Sequence, residues 1–150
     1  MHIPVIKIHG WPGISKVELE GSRAAWLIAQ HSICTPDLQR TFLQHLSGAE
    51  IEGDVPSKQV ALLTDRIRFN EGEPQIFGTV FDWSTEGELT CEVDETEKLD
   101  ELREKIGLPP FKQSLQKEKM EVEKEGGKPL DNFKAYKQAG IAWAKSVGWQ

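Results

Sequence analysis

Residues 75–93, QIFGTVFDWSTEGELTCEV, decide the fold class, because here a strand period replaces the helical one. Gln75 to Trp83 is rich in β-formers, and Leu89, Cys91 and Val93 alternate with Glu88, Thr90 and Glu92. That alternation is what a half-buried strand requires. Ser84-Thr85-Glu86-Gly87 between the two runs reads as a hairpin loop. Two strands alone are marginal in water, so the hairpin must pack on helices.

Helical spacing dominates on both sides. Upstream, residues 1–9 read as a short extended entry, and Gly10-Trp11-Pro12-Gly13 as a sharp turn. Ser15 with Glu18 has capping-box spacing and opens a helix running to His31, with Ala24, Ile28 and His31 on one stripe. Thr35-Pro36 starts the next helix, the hydroxyl as cap, and Gly48 ends it; Leu38, Phe42, Leu43 and Leu46 form its apolar face. A third helix spans about Pro56 to Phe69, with Val60, Leu63 and Ile67 inward and Asn70-Glu71-Gly72 as its stop. Downstream, Asp94 with Glu97 is a second capping box, before an inward stripe of Leu99, Leu102 and Ile106 that Gly107 and Pro109-Pro110 end. Phe111 to about Val122 is a heavily charged helix. Residues 126–129 read as a short linker before a last helix from about Asp131 to Val147, which carries Phe133, Tyr136, Gly140, Trp143 and Val147 at helical spacing. The expected architecture is mainly α with a small β-hairpin (α+β), about six helices and one two-stranded antiparallel hairpin, in a single domain over residues 1–150.

Composition narrows the function. A chain of 150 residues can bury a core without disulfides or metal. No apolar run is long enough to span a membrane, and Met1-His2-Ile3-Pro4-Val5-Ile6 lacks the features of a secretory leader. Cys34 and Cys91 have no paired spacing and read as buried free thiols, which fits a reducing, cytoplasmic setting. Residues 1–70 hold seven Lys/Arg and seven Asp/Glu, whereas residues 71–150 hold eleven against seventeen, which gives the net charge of −6. An acidic half without an aromatic-interleaved basic patch argues against nucleic acid.

Few residues carry chemistry. His31, near the end of an apolar helix, can pass protons near neutral pH, or serve as a core histidine with one hydrogen bond. His31 and Cys34 fall short of the ligands zinc needs, and His2, His9, His45 and Cys91 sit at no recurrent spacing, so no metal or other cofactor is expected. Asp65 can orient a histidine and Arg66 can hold a carboxylate or phosphate, but adjacent helical residues diverge by about 100° and a salt bridge is the plainer reading. Gln75 and Thr79 flank Gly78, and a glycine within a strand marks a bulge or a close approach. The Phe133, Tyr136 and Trp143 stripe reads as core or as a docking face, and Trp149 beyond it favours docking.

Gly10-Trp11-Pro12, Ala24-Ala25-Trp26-Leu27-Ile28 into Gln30-His31, Gln39, Leu63-Thr64-Asp65-Arg66, Gln75, Gly78-Thr79 and Gly107-Leu108-Pro109-Pro110 occur in that order. Together they resemble a large, mostly bacterial family of unknown function with Gly-Trp-Pro, Gln-His-Ala-Asp and Tyr-Gly-Thr-Gln signatures, over about residues 10–110. The resemblance implies that Trp11, Gln30, His31, Asp65, Arg66, Gln75 and Thr79 form one constellation. It also exposes departures. Ser32-Ile33 stand where the family has Ala-Asp, Thr35 replaces a further acidic position, and Phe77-Gly78-Thr79-Val80 loses a hydroxyl and an amide. The helix that usually precedes Gly-Trp-Pro is missing or shortened.

These readings predict a small cofactor-independent enzyme acting on a polar small molecule. His31 would be the general acid/base with Asp65 as its partner, and Trp11, Gln30, Arg66, Gln75 and Thr79 would bind substrate. The alternatives are an interaction module that meets a protein partner or a second copy through the C-terminal aromatic helix, and a small-molecule binder without turnover.

Overall fold

The computed structural model describes residues 3–127 and 131–150. Among them are seven helices and one two-stranded antiparallel sheet, so the chain is mainly α with a small hairpin. Helices α1 (Ile3–His9), α2 (Ile14–His31), α3 (Pro36–Ile51) and α4 (Ser57–Glu71) come first. Strands β1 (Asp82–Trp83) and β2 (Leu89–Thr90) follow, paired Asp82 to Thr90 and Trp83 to Leu89. Helices α5 (Leu99–Lys105), α6 (Phe111–Lys124) and α7 (Phe133–Val147) complete the order.

The core lies where α2, α3 and α4 pack against one another. Small residues on α2, namely Ser22, Ala25 and Ala29, let the neighbouring backbones approach, and Phe42, Leu46, Leu63 and Ile67 fill the space between. Gln39, fully buried on α3, donates its amide to the carbonyls of Ala29 at 2.6 Å and Gln30 at 3.2 Å. It thereby adds donors at the end of α2, where the Ala29 carbonyl otherwise takes only the Ser32 N–H at 3.3 Å. From the other end of the chain, Ala144 and Trp149 join the same core.

Several local expectations change. Residues 3–9 are helical rather than extended: Ile6 is buried and its carbonyl accepts the Gly10 N–H at 2.8 Å, but one inward residue leaves no period to read. The Ser15–Glu18 capping box does not form. Ser15 gives both its N–H (2.7 Å) and its hydroxyl (2.8 Å) to Asp54 in the loop between α3 and α4, and Glu18 sits at φ 60, ψ 175, kinking α2. Those bonds hold the Asp54 carboxyl below its ordinary range. Gly13 is required beneath this contact, since a Cβ there would lie 1.9 Å from Asp54 Oδ2. Thr35 does precede α3 with Pro36 in its first turn, but its hydroxyl donates back to Ser32 O at 3.1 Å instead of capping. Helix α3 runs through Gly48 to Ile51, whereas α4 stops on Gly72 at φ 75 as expected. Asp94 starts no helix, because its N–H is taken by Gln75 O at 2.8 Å, and α5 begins at Leu99. Cys34 is exposed and Cys91 only partly buried, both free thiols. Of the expected linker at 126–129, Lys128 and Pro129 lie outside the described residues, as does His2.

The largest change is in the stretch that decides the fold class. Only Asp82–Trp83 and Leu89–Thr90 pair as strands, with a lone parallel bridge from Gln75 to Val93. Residues 75–81 instead fold as a loop around one buried carboxylate.

Candidate functional site

That carboxylate is Asp65, on α4 and fully buried. Burying it without donors would cost several kcal/mol. The loop supplies them: the N–H of Ile76 reaches Oδ1 at 2.9 Å, that of Phe77 spans both oxygens at 3.1 and 3.2 Å, and that of Thr79 meets Oδ2 at 3.0 Å. The Thr79 hydroxyl adds a bond to Oδ2 at 2.9 Å. Gln75 closes the loop on itself, its Oε1 accepting from the N–H groups of Thr79 (3.0 Å) and Val80 (2.9 Å), and its Nε2 donating to Val80 O at 2.8 Å.

The opposite side of the loop is held by Arg103 of α5, 2% exposed. Its guanidinium donates to the carbonyls of Phe77 (2.6 Å), Gly78 (2.9 Å) and Pro109 (2.7 Å), and to the Ser114 hydroxyl on α6. Asp65 thus takes the loop's N–H groups while Arg103 takes its carbonyls, and each charge is solvated by peptide dipoles. Burial lowers the Arg103 pKa, and the charges of Asp100 and Asp65 partly restore it. Gly78 sits between them at φ 61, where a Cβ would come within 2.8 Å of the Phe111 ring.

A cleft of about 560 Å³ opens beside this clamp, between the end of α4, the hairpin and α7. Phe69, Val80, Ile141 and Trp143 give it apolar walls. Asp82 of β1 accepts the Tyr136 hydroxyl at 2.6 Å and the Lys137 ammonium at 2.7 Å, which ties α7 to the hairpin. Burial and the Asp82 bond push the Tyr136 phenol up to about 12. Burial, then the Asp65 charge, pushes the Cys91 thiol up to about 12. Asn70, 6% exposed, is among the cleft's lining residues, and its Nδ2, itself buried from the cleft, has no partner among the described residues. A buried donor left so costs about 1–3 kcal/mol.

Of the residues singled out in the sequence, Asp65, Gln75 and Thr79 come together, though all three spend their polar atoms on the loop. Arg66 follows Asp65 on α4 but turns elsewhere; it is half-buried, burial lowers its pKa, and its Nε has no partner among the described residues. Trp11 is buried edge-on to Phe42, with 6.1 Å between ring centroids, and lines a second, smaller cleft of about 230 Å³ with Lys16, His45 and Asp54. Gln30 is buried behind the end of α2. His31 is exposed on the last turn of α2 and lines neither cleft. Trp149 is buried, with its indole N–H on Ile33 O at 2.7 Å and the Arg40 guanidinium 5.0 Å above its ring. Among the described residues, no three His, Cys, Asp or Glu side chains gather as metal ligands, and no helix is long and apolar enough to cross a membrane.

Sequence reasoning missed Arg103, Asn70 and the Asp82–Tyr136–Lys137 group. Arg103 had a signal: it lies four residues after Leu99 and three before Ile106, on the inward stripe of α5. The Tyr136–Asp82 bond spans 54 residues and leaves no local trace.

No curated protein and no solved structure matches the chain. A family model does, over residues 3–121, which takes in the clamp and the hairpin and stops short of α7. On that match the chain belongs to the family of unknown function DUF6624.

Proposed function

We propose that this protein binds a small molecule in the cleft between α4, the hairpin and α7, and does not turn it over. The observation that carries the reading is a 560 Å³ cleft, within the range of small-molecule sites, with apolar walls from Phe69, Val80, Ile141 and Trp143. The chemistry of its walls favours binding. Cys91 and Tyr136 are both pushed toward their protonated forms, the reverse of an activated nucleophile or base. Gln75, which a substrate would otherwise engage, is saturated by the loop.

Gly140 provides the test. It forms part of the cleft wall, and a side chain added there would meet nothing within 4 Å. A fragment library screened by ligand-observed NMR should yield binders of the native chain that Gly140→Leu no longer holds while remaining folded. Binders indifferent to that substitution would overturn the reading. The competing function, general acid/base catalysis by His31, would act outside the cleft lining. Conversion of a bound fragment by the native chain, abolished in His31→Ala, would establish that function instead.

A further inference from the structure

Resting on the proposed cleft, we infer that its ligand is an organic cation with an aromatic or otherwise apolar body. Three aromatic side chains line the cleft: Phe69 from α4, and Tyr136 and Trp143 from α7. Their faces are electron-rich and attract an ammonium group within about 6 Å. The ionisable lining is one-sided. Glu73, Asp82 and Glu92 contribute carboxylates, against the single ammonium of Lys137. Asp82 and Lys137 neutralise each other at 2.7 Å. Glu73 and Glu92 have no side-chain hydrogen bond or ion pair among the described residues, and their segments run side by side, joined by the Gln75 N–H to the Glu92 carbonyl at 2.8 Å.

A cleft with apolar walls and charge of one sign focuses the field and concentrates ligands of the opposite sign. An anion would meet Glu73 and Glu92 with no free cation in the lining to offset them. A neutral apolar molecule would fill the walls but leave both carboxylates unused. The cation alone matches both features.

The test uses three probes of one shape and different charge: 2-phenylethylamine, 2-phenylethanol and phenylacetate, titrated into the full chain by calorimetry or NMR. The amine is expected to bind about tenfold more tightly than the alcohol, and phenylacetate more weakly than either. Raising the salt should narrow the gap between amine and alcohol, because both carboxylates are at the surface. In the double variant Glu73→Gln/Glu92→Gln the gap should close while affinity for the alcohol stays the same. Equal binding of alcohol and amine to the native chain overturns the cationic class. So does a gap that survives the double variant. The cleft itself still stands in those cases if Gly140→Leu abolishes binding of all three probes. If no probe binds, or Gly140→Leu binds them as the native chain does, the cleft and the inference fall together.

Discussion

The clamp around residues 75–80 and the cleft beside it share a wall, yet every charged group of the clamp is paired while two carboxylates of the cleft are not. In the clamp, both Asp65 oxygens, both ends of the Gln75 amide, the Thr79 hydroxyl and all three guanidinium nitrogens of Arg103 have partners inside the protein. In the cleft, the Glu73 and Glu92 carboxylates have none among the described residues and stand exposed at its edge. The difference teaches how to sort polar residues. A saturated group is holding the fold, and perturbing it should cost stability. An unsaturated group beside open space is available to a ligand, and perturbing it should cost binding.

The clamp offers the sharpest way to break this contrast. Asp65→Ala would strand the Ile76 and Phe77 N–H groups and the Thr79 hydroxyl, and would leave the buried Arg103 with Asp100 but without the second of its two nearby carboxylates. A loss of about 3–5 kcal/mol in urea unfolding is expected. Arg103→Met should cost a similar amount. A loss below about 1 kcal/mol for either would mean that the loop is not held by these charges. Next comes Gly78→Ala, which forces an alanine to φ 61 and sets its Cβ against the Phe111 ring and Val93. About 2–3 kcal/mol is expected, less if the ring can swing aside.

The two thiols sharpen the comparison chemically. Cys34 is exposed, whereas Cys91 lies behind the cleft with its pKa pushed up to about 12 from an ordinary 9.0. A rise of that size cuts the thiolate fraction at pH 8 by about a thousandfold, and the stronger nucleophile recovers part of it, so alkylation should be slower on the order of fifty-fold from this cause alone. Peptide mapping after iodoacetamide treatment measures the ratio. The same shift sets a pH dependence. A folded pKa above the unfolded one means stability is intact below about pH 9 and declines as pH rises toward 12, because the unfolded chain releases its proton first. Tyr136, raised from 10.0 to about 12, adds to the decline from about pH 10. Urea midpoints in Cys91→Ala and Tyr136→Phe should fall less steeply over that range.

The legibility of the molecule divides along the same line. Helices α3 and α4 are readable because their apolar stripes, the start at Thr35-Pro36 and the stop at Gly72 are local properties of the residues, whereas the α2 stripe of Ala24, Ile28 and His31 proves to be the exposed face, since α2 buries Ser22, Ala25 and Ala29 instead. Residues 75–81 were not, because the groups that decide their shape are backbone N–H and carbonyl groups, which every residue carries alike. Their β-forming side chains therefore read as strand when they are loop. Asp65, Gln75 and Thr79 belong to the seven-residue constellation that the resemblance implies, but nothing in the residues signals that these three satisfy each other rather than a substrate. His31 shows the converse: a histidine on an apolar stripe reads as partly buried, yet it shares the exposed face of α2 with Ala24 and Ile28, because the helix packs through Ser22, Ala25 and Ala29. The cleft depends on α7 reaching the hairpin through Tyr136 and Lys137, contacts that no short-range pattern encodes.

Gly140 carries the smallest expected effect and separates fold from function most cleanly. Glycine inside a helix costs about 0.5–1 kcal/mol relative to a good helix former, so Gly140→Leu should stabilise the chain by roughly that amount, with Tm rising by about 1–4 °C. No clash opposes it, since the space above Gly140 is open for 4 Å. Its new side chain nevertheless occupies the cleft that the ligand needs. A variant that melts later and binds less cannot be explained by misfolding, which removes the usual ambiguity of a loss-of-binding mutation. If Gly140→Leu instead melts earlier, α7 must pack more tightly on the hairpin than this open wall implies, and the cleft would be closed before any ligand arrived.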